Sequence, residues 1–344
     1  MVRNFEELIT KGKIEQLKAV FKKCELNAYG GYNKGNAFHF DIPEELARWL
    51  AEQGADINFR DTYGRTPLYH HATMHNADMV KLLIDLGADI NAALQTGETA
   101  LHAAAMFHSP EIVRILVEAG AEVNAKDIAG DTPLAEGLIC CNNIDIAAMA
   151  DIAEFLLSHG AEKNEKMKPL VKKIGENFEW FRDRMILDLI NESEAALDQL
   201  YKIFDVPPVP PRKIHDGVSP IIVTSQNWQE QREELWDLLV PSYGAASTVQ
   251  GEVIRISGRL SYEIIDNGGC NWDSDFRKMV KAMKNYLRMG NQLDKSEYNE
   301  LGKLLRAFSG GNGEDEIERL CELSVEWVLK NPDPIRLPPP EYKR

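Results

Sequence analysis

Glu252, Arg255, Arg259 and Glu263 follow one another at intervals of three, four and four residues. On a helix that spacing places them along one strip, where opposite charges pair. Two guanidinium groups a turn apart are also the chemistry that holds a carboxylate or a phosphate. Just downstream, NGGCNW offers Asn267, Asn271 and Trp272 as a hydrogen-bonding and stacking rim. Two readings stay open at this level. One is a partly desolvated ion network that pins the helix to its neighbours. The other is a ligand site for an acidic group, built from Arg255, Arg259, Glu263, Asn267, Asn271 and Trp272. Gly251 and Gly258 interrupt the same helix, where each costs about 1 kcal/mol relative to alanine. Their missing side chains imply that another helix, or a ligand, approaches the backbone closely.

Other candidate chemistry is thin. His71 and His75 stand one helical turn apart, but no acidic or cysteine partner recurs at metal-ligand spacing, so no metal is expected. The five cysteines, Cys24, Cys140, Cys141, Cys270 and Cys321, form no CxxC pair and read as reduced thiols of a cytoplasmic protein. There is no P-loop, HExxH, GxSxG or kinase set, and GGNG at 310–313 reads as a turn. Neither a catalytic residue nor a cofactor is expected.

The elements that must carry the charged strip come next. Val249, Val253, Ile256, Leu260 and Ile264 form one apolar stripe, so 248–266 is predicted to be a helix. Further helices are predicted over 226–240, 271–290, 295–308 and 314–331, giving an all-α domain over 214–344. The third of the five carries a basic stripe, Arg277, Lys281, Lys284 and Arg288, best read as a solvated or docking face. Ahead of this domain, VPPVPPRK at 206–213 favours an extended linker. Pro207, Pro210 and Arg212 also satisfy a minimal PxxPxR pattern, which a stiff spacer explains as well. The closing RLPPPEYKR reads as a loose tail.

Residues 1–205 are periodic. GADIN occurs at 54–58 and 87–91, GAEVN at 120–124 and GAEKN at 160–164. The first two steps are 33 residues and the third is 40. Gly64-Arg65-Thr66-Pro67-Leu68, Gly97-Glu98-Thr99-Ala100-Leu101 and Gly130-Asp131-Thr132-Pro133-Leu134 keep the same step. This pattern resembles the ankyrin repeat. Three clear units fall in 62–167, after a degenerate one and before a helical cap. The resemblance implies an all-α solenoid that binds other proteins. It also implies contacts from finger tips and first helices, at Tyr63, Arg65, His70, Met74, Gln95, Glu98, Met106, Phe107, Asp131 and Glu136. In departure from the pattern, Tyr69 and Ala135 replace the usual turn histidine, kept at His102. The stretch ELNAYGGYNKGNAFHF reads as an exposed loop.

Charge narrows the partner. The chain carries a net −15, which argues against general nucleic-acid binding. Residues 1–205 hold 21 lysines and arginines against 33 aspartates and glutamates, a net of −12. That excess favours a basic protein partner. No membrane association is expected, and the N-terminus lacks the apolar core of a signal peptide. The favoured function is a protein-binding adaptor, with an inhibitor or immunity protein as one form of it. The competing one is an enzyme or small-ligand sensor with its site in the C-terminal domain.

Overall fold

The computed structural model describes residues 13–308 and 313–343, together with Ile9. The N-terminal segment and most of the turn expected at 310–313 lie outside the described residues. Within them every regular element is helical, fifteen α-helices in all, and strand-like pairing is limited to the bridges Gly30–Gly35 and Thr248–Arg336. Two compact units divide the chain, Met1–Val209 and Pro210–Arg344.

The first unit contains α1 (Ile14–Phe21), α2 (Glu44–Glu52), α3 (Pro67–Thr73), α4 (Ala77–Asp85), α5 (Ala100–Met106), α6 (Pro110–Glu118), α7 (Pro133–Cys140), α8 (Ile146–Ser158), α9 (Met167–Phe181) and α10 (Leu187–Phe204). Short helices α3, α5 and α7 pack side by side, with α4, α6 and α8 as a second layer. Each short helix starts where the repeated threonine predicts. The hydroxyls of Thr66 and Thr132 accept the amides of Tyr69 and Ala135, and Pro67 and Pro133 fill the first turn. Leu68, Leu101 and Leu134 are then buried in one continuous core. Beyond the last repeat, α9 stacks on α7 and α10 on α8, so the solenoid continues without its sequence pattern.

The stretch expected to be an exposed loop is one only in part: Tyr29 and Tyr32 are exposed, while 35–39 is buried and takes up the repeat pattern. Asn36 takes the capping role of threonine, accepting the Phe38 amide, and opens a short helical turn, Ala37–His39. His39 Nε2 donates to the Arg65 carbonyl at 3.1 Å, as His102 Nε2 donates to the Asp131 carbonyl at 3.3 Å. The turn histidine therefore survives twice, not once. At the other end of each unit, the side-chain oxygens of Asn27, Asn58, Asn91 and Asn124 accept the amides of Asp56, Asp89, Glu122 and Glu162. This ladder explains the asparagine that closes the first three GADIN-type motifs, and Asn27 extends it into the opening stretch, while Asn164 of the fourth motif accepts the Lys166 amide instead.

The second unit contains α11 (Trp228–Leu239), α12 (Val249–Ser261), α13 (Ser274–Tyr286), α14 (Lys295–Ala307) and α15 (Glu314–Leu329), with a π-helical turn, Tyr262–Asp266, directly after α12. Helix α12 is the axis, packed by α11, α13 and α15. Eleven of its thirteen residues are buried, so the expected single apolar stripe understates it: polar and apolar faces alike are covered. Two further expectations change here. Arg212 is not displayed for a groove, because its guanidinium donates to the carbonyls of Asp237, Trp236 and Val240 at the C-terminal end of α11. The C-terminal segment is not loose either. Gln250 holds 331–335, and within the tail itself the Leu337 amide donates to the Ser247 carbonyl and the Tyr342 hydroxyl to Glu252 Oε1.

Candidate functional site

On the repeats, the site is a row of fingers and helix ends. The first and third fingers are shaped by an aspartate, Asp61 and Asp127, while Leu94 stands at that position in the middle one. The Asp61 carboxylate accepts the amides of Tyr63 and Arg65 and pairs with the Arg65 guanidinium at 2.8 Å. Burial opposes that charge, but the Arg65 and backbone hydrogen bonds outweigh it and hold the carboxyl below its ordinary range. Arg65 in turn lies 4.8 Å from the Tyr63 ring centre. Neighbouring fingers are tied together, the Thr62 amide donating to the Asn33 carbonyl and the Ile128 amide to that of Thr96.

Met74 and Phe107, 33 residues apart, occupy the same position, the C-cap of α3 and α5. Each precedes a histidine in the left-handed region, His75 at φ 55° and His108 at φ 51°. That break in the helix turns the side chains out: Met74 is 63 % exposed and Phe107 42 %. Tyr63, Ile128 and Ile139 are also exposed. Among the other expected contacts, Gln95 is exposed, while Arg65, Glu98, Met106, Asp131 and Glu136 are half-buried. His70 departs from expectation. Its ring lies between those of His39 and His71, at 5.8 and 5.4 Å, inside the junction of the first two units rather than on the outer face.

Acidic groups border the row. Oxygens of Asp127, Asp131 and Glu136 lie within 4.8 Å of one another, and Glu98 accepts the Thr96 hydroxyl nearby. Burial first, and then repulsion from Asp127, Asp131 and Glu98, pushes the Glu136 carboxyl above its ordinary range. A cation placed there relieves that repulsion.

In the second unit the six expected ligand residues do not converge. Arg255 is buried and gives Glu252 a bidentate pair, Nε to Oε2 at 2.8 Å and Nη2 to Oε1 at 2.6 Å. Arg259 is exposed. Glu263 is buried about two turns away, accepting the side-chain amides of Asn267 and Asn271 at 3.0 and 3.3 Å and the Asn271 backbone amide. Its own carbonyl accepts the Gly269 amide. The π turn and the glycine loop thus wrap around one carboxylate, and Trp272 stacks on Phe276 at 5.2 Å. Arg255 and Glu263 are both buried, and the hydrogen bonds described place them with different partners, Glu252 for the first and the asparagines of the glycine loop for the second.

The two glycines answer to packing. A Cβ on Gly258 would sit 2.2 Å from the Trp236 ring, and one on Gly251 2.8 Å from the Leu239 carbonyl oxygen. Gly258→Ala is expected to cost about 1–3 kcal/mol by forcing α11 away from α12. Urea unfolding checks this, and an unchanged midpoint would remove close packing as the reason for the glycine. Gln250, Tyr286 and Tyr342 were missed by sequence reasoning. Their partners lie up to 90 residues away, beyond any periodic signal.

A family model for ankyrin repeats (3 copies) matches residues 12–93, 37–127 and 94–167. The N-terminal half is therefore an ankyrin-repeat region, and as such a module for protein–protein interaction. The match ends at residue 167 and leaves the C-terminal unit outside it. No match was found among curated proteins. No helix among the described residues is long and apolar enough to cross a membrane.

Proposed function

We propose that the repeat face binds a basic protein, and that the chain acts as an adaptor or inhibitor, an immunity protein being one form of it. The observation that carries this is the exposed row of Tyr63, Met74, Phe107 and Ile139 next to the crowded carboxylates Glu98, Asp127, Asp131 and Glu136. Exposed aromatic and methionine side chains supply contact area. The carboxylates supply attraction to lysine or arginine and speed encounter. The net −12 over residues 1–205 has the same sign.

The test immobilises the full chain and compares capture from host lysate by wild type and by a Tyr63→Ala, Met74→Ala, Phe107→Ala triple variant. The variant is expected to keep its helical content and thermal midpoint within about 2 °C and to lose capture at least about tenfold. Capture of the basic protein by wild type should weaken as salt rises from low to physiological strength. Undiminished capture by the folded variant would place the partner on another face. Salt-independent capture would remove the basic-partner reading.

A further inference from the structure

Residues 331–343 cross α12 as a strap. At its start Asn331 is buried, donating to the Trp327 and Asn291 carbonyls, and Gln250 clamps the backbone through Ile335. Strand-like pairing follows: the Val249 amide donates to the Ile335 carbonyl, Thr248 bridges Arg336, and the Leu337 amide donates to the Ser247 carbonyl at 3.4 Å. At the far end the Tyr342 hydroxyl donates to Glu252 Oε1 at 2.5 Å, beside Tyr286, with the Arg255 guanidinium 5.9 Å from the ring centre. Pro338, Pro339 and Glu341 are exposed. A cavity of about 490 Å³ opens between 338–340 and Ala245, Ala246, Ser247 and Met289.

Two features distinguish a recognition groove from permanent core. First, the acceptor of the groove does not depend on the tyrosine alone. The Glu252 carboxylate keeps two N–H donors from Arg255 and one from Ala246, so the departing phenol leaves a satisfied, preformed acceptor. Second, the prolines line an open cavity, and an occupant with bulkier side chains gains contact there. The seated segment displays the chemistry required: backbone addition along 247–249, then one phenol delivered to a buried carboxylate.

We propose that this groove is a peptide-binding site held closed by the chain's own C-terminal segment. It is taken over by an extended, proline-rich, tyrosine-bearing segment of a partner protein.

The test titrates labelled peptide LPPPEYKR, the sequence of 337–344, into the full-length wild-type chain and a full-length Tyr342→Ala variant. The variant should bind at least about tenfold tighter than wild type, whose own strap competes. Replacing the peptide's tyrosine by alanine should cost about tenfold or more. A folded variant that ignores the peptide overturns the proposal. Should the substitution unfold the unit, hydrogen exchange on wild type decides. The Leu337 and Lys343 amides must exchange about a hundredfold faster than that of Ile256 within α12, and equal rates overturn it. A full-length dimer that requires 336–343 would make a second copy the occupant and overturn the partner reading.

Discussion

Arg255→Ala is expected to destabilise the C-terminal unit by about 3–5 kcal/mol. Removal of the guanidinium leaves Glu252, itself fully buried, without two of its donors. The loss is larger than the net value of the pair, because the remaining carboxylate bears an uncompensated desolvation cost. Arg255→Lys keeps the charge but loses the planar fork, so an intermediate loss is expected. Urea unfolding followed by tryptophan fluorescence and circular dichroism measures both. Full stability in Arg255→Ala would mean that the pair does not hold the unit together, and would reopen the arginine as a binding group.

Acid is expected to loosen the opening repeats well before it protonates their ordinary carboxylates. Burial, followed by the neighbouring His39 and Arg65 charges, pushes His70 down to about 4. Burial also pushes His71 down to about 4, with the Phe38 carbonyl opposing and His70 and His39 assisting. His39 is lowered as well, burial being the largest cause. Asp41 and Asp61 lie near enough to work in the opposite direction. The folded state therefore holds neutral imidazoles, while the unfolded chain takes up protons near 6.5. Stability is fully present above that value and is lost as pH falls from about 6.5 toward about 4. For His71, which is almost completely buried, the loss is on the order of 3 kcal/mol across that window. Half-buried His70 adds less. Asp61, held below its ordinary range, matters only at lower pH, and Glu136, held above it, contributes with the opposite sign.

His71 Nε2 donates to the Phe38 carbonyl at 2.9 Å, so His71→Gln retains a donor while removing the titration. That variant should show a clearly shallower dependence of the urea midpoint on pH between 7.5 and 4.5. An unchanged slope would assign the acid sensitivity to other groups.

Much of the first unit was legible because repetition is a local signal read many times. The threonine caps, the turn glycines and the leucines fall where the 33-residue step places them, since each unit must bury the same face against its neighbour. The opening unit was legible only as a degenerate one, because asparagine replaces threonine at 36 and the step from Asn36 to Thr66 is shorter than the standard one. Its histidine at 39 and asparagine at 27 were the available clues. On the repeat face, the exposure of Tyr63, Met74 and Phe107 was readable from motif position. That His70 turns into a histidine cluster was not, because facing inward depends on which ring the adjacent repeat supplies.

The sequence by itself determined the helices of the second unit, the possibility that Glu252, Arg255, Arg259 and Glu263 interact, and the need for close approach at Gly251 and Gly258. These follow from periodicity and from residue chemistry within a few turns. Only the tertiary structure decided that Arg255 closes on Glu252, that Glu263 belongs to the glycine loop, and that Trp236 is what approaches Gly258. It alone placed Tyr342 against a carboxylate 90 residues earlier in the chain. A buried charge takes whichever partner the packed chain brings within hydrogen-bond reach. That choice is made by long-range contacts whose sequence separation carries no period.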